Sequence, residues 1–300
     1  MAQPLEGSIT TCYRHPNRRA GVSCQRCDRP ICPDCMVQAS VGFHCPECTK
    51  QAAKRSPVIT TRSLDVQPIV TQVLIGLNAL AFFFLLSQGG TIQAGGGTGT
   101  LDYGLLGAGQ LSRFSPLLGV ASGEWYRLFT GAFLHHGIIH IGMNMLVLWL
   151  VGSQLERVLG HWRYLSLYVA ALLAGSFAVM LYDPGIITVG ASGAIFGLFG
   201  AAVAHQRDRG INIMQSGLGG LILINLLITF AIPQISKAGH VGGLIGGALV
   251  GFAMFEIDKR VRTQWAGVAV AAAFSVAFLL GGIWAANAYV SNGGVPVIHF

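Results

Sequence analysis

AFLHHGIIHIGMNMLVLWLV, residues 132–151, runs for twenty positions without Asp, Glu, Lys or Arg, yet it carries His135, His136, His140 and Asn144. A helix rises about 1.5 Å per residue and the hydrocarbon core of a bilayer is roughly 30 Å thick, so about 20 uncharged residues suffice to cross it. Polar side chains inside such a segment are costly, and they face a protein interior or a water-filled cavity. The stretch therefore reads as a membrane span, and as one that holds something polar at depth.

The rest of the chain agrees. Of 300 residues 52% are apolar and only 10% charged, a balance that excludes an ordinary soluble globular protein. Seven segments are long and apolar enough to cross: 68–86, 132–151, 164–181, 185–206, 213–232, 238–255 and 266–290. The net charge of +7 could suggest nucleic acid, but the basic residues form no single patch; they recur in short clusters between spans, as they do in cytoplasmic loops. The expected partner is therefore the lipid bilayer, with no nucleic acid.

No early apolar core heads the first 71 residues, so the N-terminus is expected to stay in the cytoplasm. The connections after the second, fourth and sixth spans then lie inside. They hold Glu156, Arg157 and Arg163, then Arg207, Asp208 and Arg209, then Lys259, Arg260 and Arg262. The expected location is a multi-pass protein of the inner cell membrane with its C-terminus outside. The first external loop, 87–131, is long. Its Gly/Thr tract at 89–100 reads as flexible, and 101–129 is apolar enough to lie in the interface.

Counting back from the charge that closes each span, His140 is sixteen residues from Glu156, Ser192 fifteen from Arg207 and His240 sixteen from Glu256. At the helical rise each lies roughly 22 to 24 Å above the cytoplasmic edge, with Asn144 one turn deeper on the face of His140. A lone Ser192 in a span reads as a back-bonded packing residue, and a lone histidine is evenly balanced between structure and function. Two histidines, an asparagine and a serine at one depth on three helices point to a site. Gly190, Gly193 and Gly197 around Ser192, and Gly243 and Gly247 beyond His240, allow two helix backbones to approach closely enough for an imidazole to reach a hydroxyl. Dimerisation faces would explain the glycines but not the histidine. Ser192 also opens its helix after the loop 184–190, where free N–H groups suit an oxyanion, and His140 and Asn144 can add donors. No carboxylate lies at this depth, so the expectation is a Ser-His dyad rather than a triad.

At these residues the sequence resembles the rhomboid intramembrane proteases. The match runs over residues 124–255 and includes Trp125-Tyr-Arg127, His135-His-Gly-Ile-Ile-His140-Ile-Gly-Met-Asn144, Gly190-Ala-Ser192-Gly193 and Gly239-His240-Val-Gly-Gly243 with Gly247. The resemblance implies an all-α, rhomboid-like bundle of seven transmembrane helices in a six-plus-one arrangement. Ser192 would be the nucleophile and His240 the general base. His140, Asn144 and the Ser192 N–H would form the oxyanion hole. Arg127 and His135 fall at family positions and read as structural. Phe196 stands where many rhomboids carry tyrosine against the catalytic histidine, so stacking survives and a hydroxyl bond does not. The implied substrates are transmembrane proteins, cut near the extracytoplasmic end of a helix.

All seven cysteines lie between Cys12 and Cys48. The pairs Cys12/His15, Cys24/Cys27, Cys32/Cys35 and Cys45/Cys48 supply eight ligands, enough for two tetrahedral Zn2+ ions. An odd cysteine count in a cytoplasmic domain disfavours disulfides. The spacing resembles a B-box-like zinc finger, which implies an interleaved pattern joining the first pair with the third and the second with the fourth. His44 is an alternative ligand to Cys45. The expected organisation is a small zinc-stabilised domain at 1–50, a basic linker at 51–67, the protease domain at 68–290 and a short external tail at 291–300. A cytoplasmic protein partner for the zinc domain is expected. No metal or cofactor is expected in catalysis. The rival readings are a membrane-anchored zinc-finger scaffold or receptor without proteolytic activity, a ligase-like enzyme built on the zinc fold, and a transporter using the polar residues as a proton relay.

Overall fold

The computed structural model describes residues 10–39, 42–55, 66–261 and 263–298, and the chain divides into two compact units on either side of Leu64 and Asp65. Most of the expected linker, 56–65, and Arg262 lie outside the described residues.

In the first unit, β1 (Val22–Ser23) pairs antiparallel with β2 (Pro30–Ile31), and β3 (Val37–Gln38) with β4 (Phe43–His44), before helix α1 (Pro46–Arg55). Ile31 and six of the cysteines are buried, with Tyr13, Met36, Phe43 and the seventh cysteine, Cys27, packed around them. A single buried aliphatic side chain is too little core to hold a fold of this size, so the fold turns on the cysteines.

The second unit is a helical bundle: α2 (Ile69–Ser87), α3 (Thr98–Tyr103), α4 (Arg127–Thr130), α5 (Gly137–Val147), α6 (Ser153–Leu159), α7 (His161–Tyr182), α8 (Ser192–Asp208), α9 (Leu218–Ala231), α10 (Lys237–Arg260) and α11 (Gln264–Ser291). A π turn at Leu148–Gly152 joins α5 to α6 as one helix over Gly137–Leu159. Helices occupy all seven expected span positions. Among the described residues five are long and apolar enough to cross a membrane: Ile69–Ser87, Gly137–Leu159, His161–Tyr182, Lys237–Arg260 and Trp265–Ser291.

The other two are shorter than expected. The span read at 185–206 begins as helix only at Ser192, because 184–191 is held as a loop: Leu105 and Thr188 exchange N–H···O bonds at 3.0 and 2.8 Å, and Gly190 donates to the Gly131 carbonyl at 2.9 Å. The span read at 213–232 is helical over Leu218–Ala231, starting after Gly217 and stopping before Pro233.

Helix α7 is the axis of the bundle, with thirteen buried residues from Tyr164 to Met180. Around it α8 and α10 pack at backbone distance through small residues. A Cβ placed on Gly243 would strike the Gly193 carbonyl oxygen, and one on Gly247 the Gly197 carbonyl. Backbones this close are the small-residue packing that membrane helices use in the absence of a hydrophobic drive between them.

Two ends can be told apart. Arg163 pairs with Asp258 at 2.9 Å and Lys259 with Asp208, so the three charged connections gather at one end. At the other end the loop 87–131 is pinned rather than loose. Thr91 and Gly95 bond each other, Ile138 donates to the Ile92 carbonyl at 2.8 Å, and Gln110 bonds both Pro296 and Ile298 of the tail. The tract at 89–100 was read as flexible from its glycines; it is instead fitted against the start of α5, where Gly95 and Gly137 leave no room for a Cβ.

Candidate active site

Ser192 is the first residue of α8, half-buried, with Ala191 as its N-cap. The first N–H groups of a helix have no intrahelical partner, so the backbone around Ser192 presents donors. Phe196 follows one turn later on the same face, and the ring of His240 lies stacked on it, centroids 4.1 Å apart and planes 19° from parallel. His240 is buried near the start of α10. The stack and the glycine contacts bring His240 to the Ser192 side of α8. Among the described residues no hydrogen bond joins Ser192 Oγ to the imidazole; catalytic hydrogen bonds in unliganded enzymes are often long.

His140 reaches the same place from α5. Gly190, at φ +129°, has the space a Cβ would fill 2.9 Å from His140 Nε2 and 3.6 Å from Ser192 Oγ. The backbone N–H of His136 points at His140 Nδ1 at 3.3 Å. A nitrogen that accepts carries no proton, so the neutral ring is protonated at Nε2, on the side facing Gly190 and Ser192. Asn144, buried one turn on, donates from Nδ2 to the His140 carbonyl at 2.9 Å. Its second amide hydrogen remains to be used.

The other candidates serve the frame. His135 is fully buried; its Nδ1 meets the Phe133 carbonyl at 3.2 Å and its Nε2 accepts from the Ala191 N–H at 3.5 Å. It therefore ties the loop before α5 to the loop before α8. Arg127 is buried against Glu124 at 2.7 Å and donates to the carbonyls of Leu101 and Gly104 at 2.6 and 2.9 Å, clamping the external loop. Neither side chain touches Ser192 or His240 in any described contact.

One contact was not anticipated from the sequence. His240 Nδ1 lies 2.7 Å from the Thr229 hydroxyl on α9, and that hydroxyl donates to the Asn225 carbonyl, also at 2.7 Å. The signal was there: Asn225 and Thr229 are two polar residues four apart in an apolar span, the pattern that singled out His140 and Asn144.

In the N-terminal unit, Cys12, His15, Cys32 and Cys35 form one group and Cys24, Cys27, Cys45 and Cys48 another, the donor atoms of each within 4.8 Å of one another. The pairing is the interleaved one, and His44 belongs to neither group. All seven cysteines are free thiols. His15 Nδ1 is 3.4 Å from both Cys32 and Cys35 Sγ, and Cys27 Sγ is 3.8 Å from Cys45 Sγ. Tetrahedral ligands about 2.3 Å from one ion stand about 3.8 Å apart, so the donors already hold metal-site spacing. Burial raises the Cys12 and Cys24 thiols, but backbone hydrogen bonds outweigh it and bring each to about 6. Burial and neighbouring thiols push Cys35 to about 11 and Cys48 to about 12. Four thiolates or a His-thiolate set at this spacing need a cation between them. Each group can hold one metal ion.

Comparison with known proteins bears on the membrane unit. A family model described as Rhomboid domain matches residues 122–257. The rhomboid protease GluP of Bacillus subtilis (strain 168) is 39% identical over 184 residues, 60% of this chain and 34% of that protein. The putative rhomboid protease YdcA of the same organism is 36% identical over 147 residues, 48% of this chain and 74% of YdcA. RHOMBOID-like protein 5 of Arabidopsis thaliana is 34% identical over 144 residues, 45% and 46% of the two chains. The chain thus spans about a third of the length of GluP and about three quarters of YdcA.

Proposed function

We propose that this chain, which belongs to the rhomboid family of intramembrane serine proteases, is itself an endopeptidase that cuts transmembrane proteins with Ser192 as nucleophile and His240 as general base. The observation that carries the reading is the convergence beside Gly190: the Ser192 hydroxyl and the His140 Nε2 meet one small space, and the His240 ring is stacked one turn away on the face of α8 that bears Ser192.

The chemistry follows from the protonation states. Ser192 Oγ attacks the scissile carbonyl carbon while His240 Nε2 takes the hydroxyl proton. The carbonyl oxygen becomes an oxyanion, and His140 Nε2–H, the Ser192 N–H and the free amide hydrogen of Asn144 are the donors within reach. Collapse expels the amine, which receives the proton from His240, and leaves an acyl ester on Ser192. Water, deprotonated by His240, attacks that ester and restores the serine. No metal takes part.

An intact helix hides its carbonyls, so the scissile segment must unwind locally, which Gly or Pro makes less costly. The cut site is therefore near the extracytoplasmic end of the substrate's helix, after a small residue that fits the crowded glycine-rich surroundings and before helix-weakening ones. The basic connections support a cytoplasmic N-terminus in the cell membrane. The two metal groups are read as structural Zn2+ sites, and the domain around them is read as the docking point of a cytoplasmic protein.

The test is cleavage of a single-span substrate in detergent by the wild type, Ser192→Ala and His240→Ala, with the cut mapped by mass spectrometry. Loss of cleavage and of fluorophosphonate labelling in both variants is the expected result. Activity near wild type in either variant would sink the dyad. A wild type that neither cleaves nor labels would leave the scaffold reading in its place, and a cut on the cytoplasmic side would reverse the orientation.

A further inference from the structure

Helix α9 has two buried residues, Gly219 and Thr229, and most of its remaining surface is turned outward. Thr229 is fully buried, and its hydroxyl stands 2.7 Å from both the Asn225 carbonyl oxygen and His240 Nδ1. The hydroxyl has one proton and two short contacts to divide it between. A carbonyl oxygen can only accept, so at 2.7 Å the proton belongs to the Asn225 contact. Thr229 Oγ1 is then an acceptor toward the imidazole, and Nδ1 must be the donor. That assignment leaves the proton of neutral His240 on Nδ1 and the lone pair on Nε2.

We infer that Thr229 is the positioning residue of the catalytic histidine, holding His240 in the one tautomer that can accept the serine proton and doing from a neighbouring helix what a carboxylate does in a triad. The inference rests on the Ser192–His240 reading. A histidine free to exchange tautomers, or to turn its ring over, spends part of its time presenting an N–H to the serine, and such a ring cannot act as base. Phe196 fixes the plane of the ring by stacking but cannot choose between its nitrogens; the Asn225–Thr229 relay does. When Nε2 takes the proton, the Nδ1–H···Oγ1 bond becomes charge-assisted and strengthens. It is also chained to a helix carbonyl, so its acceptor stays in place through the cycle. The assignment gives the two site histidines opposite tautomers, Nδ1–H in His240 for a base and Nε2–H in His140 for an oxyanion donor.

The relay distinguishes itself from packing through two nearly isosteric variants of the full-length chain. Thr229→Val keeps the volume and both branches but loses the acceptor; Thr229→Ser keeps the hydroxyl and loses a methyl. With a single-span substrate in detergent, Thr229→Val should lower kcat by about 10- to 100-fold, the usual cost of removing the partner that orients a functional histidine, with KM and melting temperature unchanged. Thr229→Ser should stay close to wild type in kcat, and the rate of fluorophosphonate labelling of Ser192 should follow the same order. A packing role gives the reverse order, with valine tolerated and serine impaired; that result overturns the inference, and so does equal loss in both. His240→Ala is the reference. If it is inactive while Thr229→Val is normal, the dyad stands and the relay falls. If His240→Ala is active, the functional reading falls first.

Discussion

At the residue scale the site is a matter of which nitrogen carries which proton. His140 receives the His136 N–H on Nδ1, so its Nε2–H faces Ser192. A donor aimed at charge that develops only in the transition state acts on turnover more than on binding. His140→Ala should therefore lower kcat by about 10²- to 10³-fold, about 2.7 to 4 kcal/mol, with KM little changed in steady-state kinetics; a pure rise in KM would move His140 to substrate binding. Asn144→Ala should show the same split at smaller size, since one of its amide hydrogens is already committed to the His140 carbonyl. Ser192, His240, His140 and Asn144 were legible before any coordinates because polar groups in hydrocarbon need a reason. Thr229 was not, because a threonine that satisfies its own helix carbonyl is unremarked in a span until a ring is found against its oxygen.

At the element scale two contacts decide where helices can lie. The α8–α10 crossing is set by Gly243 and Gly247 against the Gly193 and Gly197 carbonyls, and backbone cannot move aside as a side chain would. Gly243→Ala and Gly247→Ala should each cost about 1–3 kcal/mol or more through overpacking, and should lower both melting temperature and cleavage by separating the two helices. Gly76→Ala on α2, where a Cβ meets nothing within 4 Å, should be silent in the same assays. The second contact is Glu156. From the sequence it was a charge closing a span at the cytoplasmic edge; it is fully buried and accepts from the Val70 and Thr71 N–H groups, both at 2.8 Å, and from the Thr71 hydroxyl at 2.7 Å. Helix α2 has no side-chain cap of its own, and the carboxylate of another helix supplies it. Glu156→Ala leaves those donors unsatisfied and should destabilise the bundle by about 1–3 kcal/mol in a thermal melt. A cap borrowed across 86 residues has no local signature.

At the scale of the whole molecule the two units are held by different physics, one by helix packing and one by its thiol and imidazole donors. The expected stoichiometry is two zinc ions per chain by metal analysis. Replacing Cys24 and Cys27 with serine should remove one of them and unfold the N-terminal unit, since metal binding there is folding free energy, while Ser192 still reacts with a fluorophosphonate. No zinc in the wild type would refute the metal reading, and lost labelling would show the units to be coupled. The sequence by itself determined the spans, the depth of the four polar residues and the eight metal ligands, because burial of polarity in hydrocarbon and the Cys-x-x-Cys spacing are local constraints written in residue type. Only the tertiary structure decided that 184–191 is loop rather than helix, that Glu156 caps α2, and that His240 faces Thr229. These are contacts between segments distant along the chain, and a pattern of hydropathy carries no record of which side chain lies across from which.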